Sequence, residues 1–359
     1  MKPMGSIRNN WAIKHLANRI AKHINRGVAT ANTVRIILNN LKSNYKIRHL
    51  KTLDNEFIQD FARNIAESVE NGELTGKTGA TYCSAINAIS DYVNHFFNKK
   101  IQKIRYSELN IHKQEKYNDK SVNQNLHEQF KEYLNKINNK KTEALKIAIE
   151  LQREIGLRFR EAAGLNKITI ENALRTGKLE LSRRDWTKNA RPRKLLLNEA
   201  QKELLQRVLS QIEKQGGVNL AGARDIKSFR EIAIFRNAAD KIRQKFNTEN
   251  KTNYRYHGER HAYAHNRFTQ LWQDRTNHAI IPPIVYYSQK LTEAGWSGEG
   301  KFYRAVKEFK IEPWSKYAIK VTDLSQREIR ELDKTIREII SKELGHNRLD
   351  ITNTYLGHP

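Results

Sequence analysis

The 359 residues give room for two domains rather than four, and 38% of them are apolar, which supports packed cores and excludes a disordered chain. Lys and Arg number 65 against 39 Asp and Glu, a formal charge of +26 that asks for a polyanion, nucleic acid before a membrane surface. The single cysteine, Cys83, excludes a disulfide framework or a Cys-based zinc site within one chain, and no run of about 18 apolar residues offers a membrane span.

Residues 1–27 read as a basic helix or arm ending at Gly27, with Trp11, Ile13, Leu16 and Ile20 on one side and Lys14, Lys22 and Arg26 elsewhere. It is either a DNA-contacting arm or a solvated first helix, and without a continuous apolar stretch it does not read as a signal peptide. Residues 28–97 read as a small helical domain. Val34, Ile37, Leu38 and Leu41 recur at helical spacing, as do Phe57, Phe61, Ile65 and Val69 behind a cap at Asp54 or Asn55. A third helix from about Thr78 carries Tyr82, Ile86, Ile89, Val93 and Phe96, with Gly72, Gly76 and Gly79 interrupting before it, and Cys83 reads as a core residue of that helix. Over 98–120 the apolar period fades into a linker, in which Ile101, Ile104 and Leu109 have room to pack locally.

The second domain, 121–359, opens with a helix carrying Ala144, Ala148, Leu151 and Ile155, stopped by Gly156. Leu179 and Leu181 alternate as in a strand, Asn189 to Pro192 are turn-rich, and Leu195 to Leu197 return, which reads as a two-stranded hairpin. Beyond Asn198 the period is helical, interrupted at Gly216–Gly217, Pro282–Pro283 and Gly295 to Gly300. The expected fold is therefore mainly α with a small β-hairpin.

Four segments carry chemistry: GLRFREAAGL at 156–165, DWTKNARPRKLLL at 185–197, YHGERHAYAHNRF at 256–268 and LGHNRLDITNTYL at 344–356. They supply arginines, histidines, a lysine and a tyrosine, without paired carboxylates. Charge builds on the non-bridging oxygens when a phosphodiester is attacked, and a guanidinium meets it with a planar fork that stays charged. A tyrosine, with an ordinary pKa of about 10, becomes a nucleophile only where cations stabilise its phenolate. A lysine or histidine can protonate the departing 5′ oxygen. The set suits metal-independent phosphoryl transfer through a covalent intermediate.

In this order the segments resemble the catalytic domain of tyrosine recombinases, the phage-type integrases. That family's pattern is G-L-R-x-x-E, a hairpin lysine, H-x-x-R, and L-G-H followed by a tyrosine nine residues after the histidine. Gly156, Leu157, Arg158 and Glu161 match the first element and Lys188 the second; His257 and Arg260, followed by His261, match the third; Leu344, Gly345, His346 and Tyr355 match the fourth. The resemblance covers about 30–359 and implies a helical core-binding domain followed by an α+β catalytic domain. It implies a site-specific recombinase of a phage or mobile element. Arg158, Arg260 and His346 would hold the scissile phosphate with His257 beside them. Lys188 would protonate the leaving 5′ oxygen, Glu161 would orient the pocket by pairing with a cation, and Tyr355 would form the 3′-phosphotyrosine. The resemblance also implies no cofactor or metal, double-stranded DNA bearing specific sites as partner, a homo-tetramer on DNA, accessory DNA-bending proteins, and a cytoplasmic, nucleoid-associated setting without a membrane.

Several alternatives stay open at this point. Arg191, Arg193 or Lys194, close in the same basic hairpin, could replace Lys188. Arg175, Arg183, Arg184, Arg191, Arg193 and Lys194, opposed only by Glu180 and Asp185, read mainly as phosphate contacts. Arg260 and His346 stand 86 residues apart, where compact members of the family keep a few dozen at most, so about 272–335 reads as an insertion. Its Tyr286, Tyr287, Trp296, Phe302, Tyr303, Trp314 and Tyr317 either pack a helical subdomain or present a DNA-stacking or subunit-docking surface. Only Leu356, Gly357, His358 and Pro359 follow Tyr355, where many members continue into a helix that docks on the next subunit, so the insertion is the expected substitute for that contact. The competing functions are a type IB topoisomerase and a non-catalytic DNA-binding protein on the same fold.

Overall fold

A computed structural model describes residues 5–111, 119–137, 140–182, 186–187, 192–226, 228–298, 301–346 and 348–359. Two compact units divide the chain, Met1–Glu115 and Lys116–Pro359.

The first unit is helical. Helices α1 (Asn10–His23), α2 (Val28–Ser43), α3 (Asn55–Glu70) and α4 (Gly76–Phe97) surround one core. Each of three starts is set by a side chain that accepts an orphan backbone N–H: Asn9 from Ala12, Asp54 from Phe57 and Thr75 from Thr78. The Thr75 cap starts α4 at Gly76, so Gly76 and Gly79 lie inside the helix rather than before it. Helix α1 is not a free arm. Ile13, Leu16 and Ile20 are buried in the common core, whereas Trp11 is 54% exposed. Ile101, Ile104 and Ile111 join that core; the Asn94 amide pairs with the backbone of Ile101 and the Asn87 amide with that of Ile104. The stretch expected as a linker therefore belongs in part to the first unit.

The second unit begins with α5 (Gln124–Ile137) and α6 (Lys140–Glu154), followed by α7 (Phe159–Gly164) and α8 (Lys167–Thr176). Strands β1 (Lys178–Leu181) and β2 (Arg193–Leu196) pair antiparallel, with Leu179 opposite Leu195 and Leu181 opposite Arg193. Then come α9 (Glu199–Gln215), α10 (Arg230–Asn250) and α11 (Tyr256–Thr276). Ala144, Ala148, Leu151 and Ile155, the stripe read from the sequence, are buried in a core shared with Leu179, Leu195, Leu205 and Phe246. The mainly α architecture with one small hairpin is as the sequence predicts.

After α11 the chain adds α12 (Pro283–Glu293), α13 (Phe302–Glu308), α14 (Trp314–Thr322) and α15 (Gln326–Glu343), and ends in α16 (Leu349–Leu356). Tyr286, Tyr287, Phe302 and Trp314 are buried in one core together with Phe268, Trp272, Tyr355 and Leu356. Trp314 is fully buried, and its indole N–H donates to the Ile281 carbonyl at 2.8 Å. The aromatics of the supposed insertion thus form the floor beneath α16, and their packing leaves no aromatic docking face on these four residues. Among the described residues no helix is long and apolar enough to cross a membrane.

Candidate active site

Four pieces of chain converge in the second unit. Gly156 ends the α6 segment with φ +69°, and a Cβ there would lie 2.5 Å from the Tyr263 ring, so the turn needs glycine for both reasons. That turn aims the Gly156 carbonyl at Arg260 and delivers Arg158 to the N-terminus of α7. The Arg158 backbone N–H donates to Glu161 Oε2 at 2.8 Å, and its Nη1 donates to Oε1 at 2.7 Å. Its side chain keeps 21% exposure, while the Glu161 side chain has none. Arg193 on β2 closes the other side of Glu161.

Arg260 lies on the buried face of α11 and is fully enclosed. Its Nη1 donates to Gly156 O, its Nη2 donates to Leu344 O at 2.5 Å and lies 3.3 Å from His346 Nε2, and its Nε donates to Tyr355 Oη at 3.3 Å. Helix α15 ends with Gly345 at φ +65°, a left-handed cap that turns the chain and returns the His346 N–H to Ser341 O at 2.9 Å. Nine residues on, α16 brings Tyr355 back: its Oη is 3.3 Å from His346 Nε2 and 3.4 Å from His257 Nε2. The His261 ring stacks on Tyr355 at 4.3 Å between centroids, and His265 Nε2 lies 2.8 Å from the Tyr355 carbonyl. Because a carbonyl only accepts, that Nε2 carries the proton.

The electrostatics follow from burial and crowding. Three arginines surround the single carboxylate of Glu161, a net charge of two. Burial pushes the Glu161 carboxyl up, but Arg193, Arg158 and Arg260 together pull it below the ordinary range. Burial lowers Arg260. It also lowers Arg193, to about 10, with Arg260 and Arg158 adding to that and Glu161 opposing it. Burial, then Arg260, Arg158 and Arg193, drive His346 down to about 3, so it stands neutral. Burial and then His257 and His265 hold His261 neutral as well.

The structure thus brings Arg158, Glu161, His257, Arg260, His261, His346 and Tyr355 into one place. Lys188, Arg183, Arg184 and Arg191 lie outside the described residues. Arg175 is exposed and donates to Asn172, and Lys194 is exposed and paired with Glu180 at 2.5 Å. Arg193 differs from its reading as a DNA contact: its side chain is 2% exposed and committed to Glu161 and to the Glu343 carbonyl. Sequence reasoning also missed His265 and the buried Glu259, which takes Arg153 Nη1 at 2.8 Å, His127 Nδ1 at 2.9 Å and Tyr254 Oη at 2.8 Å behind α11. A charge beside Arg260 on a helix face that turns inward was the available signal for Glu259.

A phenol set among an arginine and two imidazoles, beside a pocket carrying excess positive charge, is an arrangement that can serve tyrosine-dependent phosphoryl transfer. The family model described as Integrase matches residues 115–266, so this part of the chain is similar to the integrases. Among solved structures, the Tn1549 transposon integrase in complex with a circular intermediate DNA is 13% identical, with 96% of this chain and 95% of that one covered and a TM-score of 0.52. The XerH site-specific recombinase bound to palindromic difH substrate is 15% identical, covering 98% of this chain and 82% of that one, with a TM-score of 0.50. At such identities the likeness is one of fold. No curated protein sequence matches the chain.

Proposed function

We propose that the protein is a site-specific DNA recombinase that cuts and rejoins strands through a 3′-phosphotyrosine on Tyr355. The observation that carries the reading is the Tyr355 hydroxyl within 3.3–3.4 Å of Arg260 Nε, His346 Nε2 and His257 Nε2. Arg260 donates to the oxygen that becomes the phenolate. An imidazole beside the hydroxyl, His257 or His346, takes the phenol proton. Arg158, the arginine of the pocket that keeps solvent exposure, is the one open to a non-bridging phosphate oxygen. Tyr355 Oη then bonds to phosphorus and the P–O5′ bond breaks, with Lys188 as proton donor to the 5′ oxygen on the strength of the family resemblance. The 5′ hydroxyl of a second strand reverses these steps, so the bond is conserved and no external energy source enters.

Duplex DNA as partner is supported by the charge of +26 and by the DNA in both related structures. A mobile-element setting is supported by the transposon integrase among them. We extend the proposal to a first unit that clamps DNA, a homo-tetramer on paired sites, accessory bending proteins and a nucleoid-associated cytoplasmic location.

The test is covalent trapping on a nicked duplex taken from DNA flanking the gene, where the short released strand diffuses away. The wild type should accumulate a protein–DNA adduct and Tyr355→Phe should form none while binding DNA nearly as well. An adduct with the Phe variant removes the assignment. Holliday junctions on two paired sites separate a recombinase from a topoisomerase that relaxes single duplexes.

A further inference from the structure

Arg193 stands in a run of basic residues but does not behave as one of them. Its side chain is 2% exposed, so it has no surface to offer a DNA backbone. Its Nη2 donates to Glu161 Oε2 and its Nη1 to the Glu343 carbonyl at 2.9 Å. The next carbonyl along, Leu344 O, is the one held by Arg260. Two arginines from distant parts of the chain therefore cap successive carbonyls at the C-terminus of α15, where backbone acceptors lack partners and the helix dipole is negative. The turn that begins there carries His346. Gly345 leaves room for this: a Cβ on it would stand 3.0 Å from Arg193 Cδ.

The arrangement is costly for stability alone. Arg193 Nε is buried without a hydrogen-bond partner among the described residues, and three arginines share one carboxylate. An apolar side chain would fill such a position more cheaply. What the arginine adds is geometry. Glu161 has both oxygens committed, Oε1 to Arg158 Nη1 and Oε2 to the Arg158 backbone and Arg193, so the Arg158 fork cannot swing without breaking the chain of bonds. The same cation fixes the strand it belongs to, in a sheet of only two four-residue strands, a size that does not hold its shape unaided.

We propose that Arg193 is a positioning residue, which locks the Arg158–Glu161 pair to the turn bearing His346 and so sets the distance between the phosphate-holding arginine and the Tyr355 nucleophile; this rests on the recombinase reading above.

The test uses the full chain, the nicked substrate, and the variants Arg193→Met, Arg193→Lys and Glu161→Gln. Single-turnover adduct formation per folded molecule should fall by at least about 10²-fold in Arg193→Met, the scale of a small misplacement of reacting groups. Arg193→Lys, which can reach one partner but not both, should recover part of it. DNA affinity and its salt slope should stay as in the wild type, since a lost phosphate contact would take about 0.9 off the slope. Arg193→Met with Glu161→Gln should be no slower than the slower single variant. A wild-type rate in folded Arg193→Met overturns the proposal. So does a reduced salt slope, or losses that multiply in the double variant. Should Arg193→Met fail to fold, Arg193→Lys decides: a full rate per folded molecule overturns the proposal and a partial rate supports it. Absence of any adduct with the wild type strikes at the recombinase reading instead.

Discussion

Arg260 Nε donates to Tyr355 Oη at 3.3 Å from a guanidinium whose two Nη atoms are held by the carbonyls of Gly156 and Leu344. The residue proposed to activate Tyr355 is thus also a structural tie between three of the four motif segments. Arg158, by contrast, ties among the described residues to Glu161 and keeps part of its surface open. The two arginines of the motif set have different jobs, and their variants should differ in kind.

Arg260→Lys should lose adduct formation and also about 2–4 kcal/mol of stability, because a lysine cannot serve both carbonyls and leaves a buried acceptor without a donor. Arg158→Lys should lose most activity with a stability change under about 1 kcal/mol, since its position is half open. Denaturant melts beside single-turnover cleavage separate the two. Equal stability losses would show that Arg158 is as structural as Arg260.

Much of this site was legible in the sequence because its members are held at short, rigid spacings. His257 and Arg260 share one helix, and Tyr355, nine residues after His346, lies in the short helix α16. The apolar stripe Val34, Ile37, Leu38 and Leu41 was legible for the same reason, being local and periodic. Arg193 was not. It reads like its basic neighbours, and what buries it is a carbonyl 150 residues away and a carboxylate 32 residues away. The aromatics of α12 to α14 were ambiguous likewise, because composition shows that aromatics exist and only the packing of Tyr355 and Leu356 against them shows which way they face.

Acid should weaken the fold through the histidines around Tyr355. His346, His261 and His265 all have folded-state values below the ordinary one, chiefly from burial. The unfolded chain therefore binds more protons, and stability is full above about pH 6.5 and lost as pH falls below it towards the folded values. For the nearly enclosed His261 the loss approaches about 1.4 kcal/mol per pH unit. His261→Phe keeps a ring stacked on Tyr355 and removes one titration, so the fall in Tm between pH 7 and pH 5 should become shallower. An unchanged slope would mean that His261 protonates without penalty.

Lys188 can be tested by the chemistry of the leaving group. If it protonates the 5′ oxygen, Lys188→Ala should slow cleavage of ordinary DNA by about 10²–10⁴-fold. A substrate with sulfur at the bridging 5′ position expels a thiolate, which needs no proton, so there the variant should approach the wild-type rate. Tyr355→Phe should stay inactive on both substrates. Rescue of Lys194→Ala in place of Lys188→Ala would move the acid to that residue.

The segment at about 272–335 separates the two readings given to it most sharply. A surface for subunit contact could be replaced by a short Gly/Ser linker and leave nicking of one site intact. The packing argues otherwise: Tyr355 and Leu356 share a core with Ile284, Tyr287, Phe302 and Trp314, and the Gly357 carbonyl accepts from Arg337 on α15 at 2.8 Å. Removing the segment exposes the underside of α16 and frees the tyrosine. Trp314→Ala is the gentler form of the same test. It deletes a fully buried indole bonded to Ile281 and should cost about 3–5 kcal/mol. Adduct formation on a single nicked site should then fall with the folded fraction, before any question of pairing two sites arises. A Trp314→Ala protein that melts like the wild type and nicks at full rate, yet fails only on paired sites, would restore the docking surface.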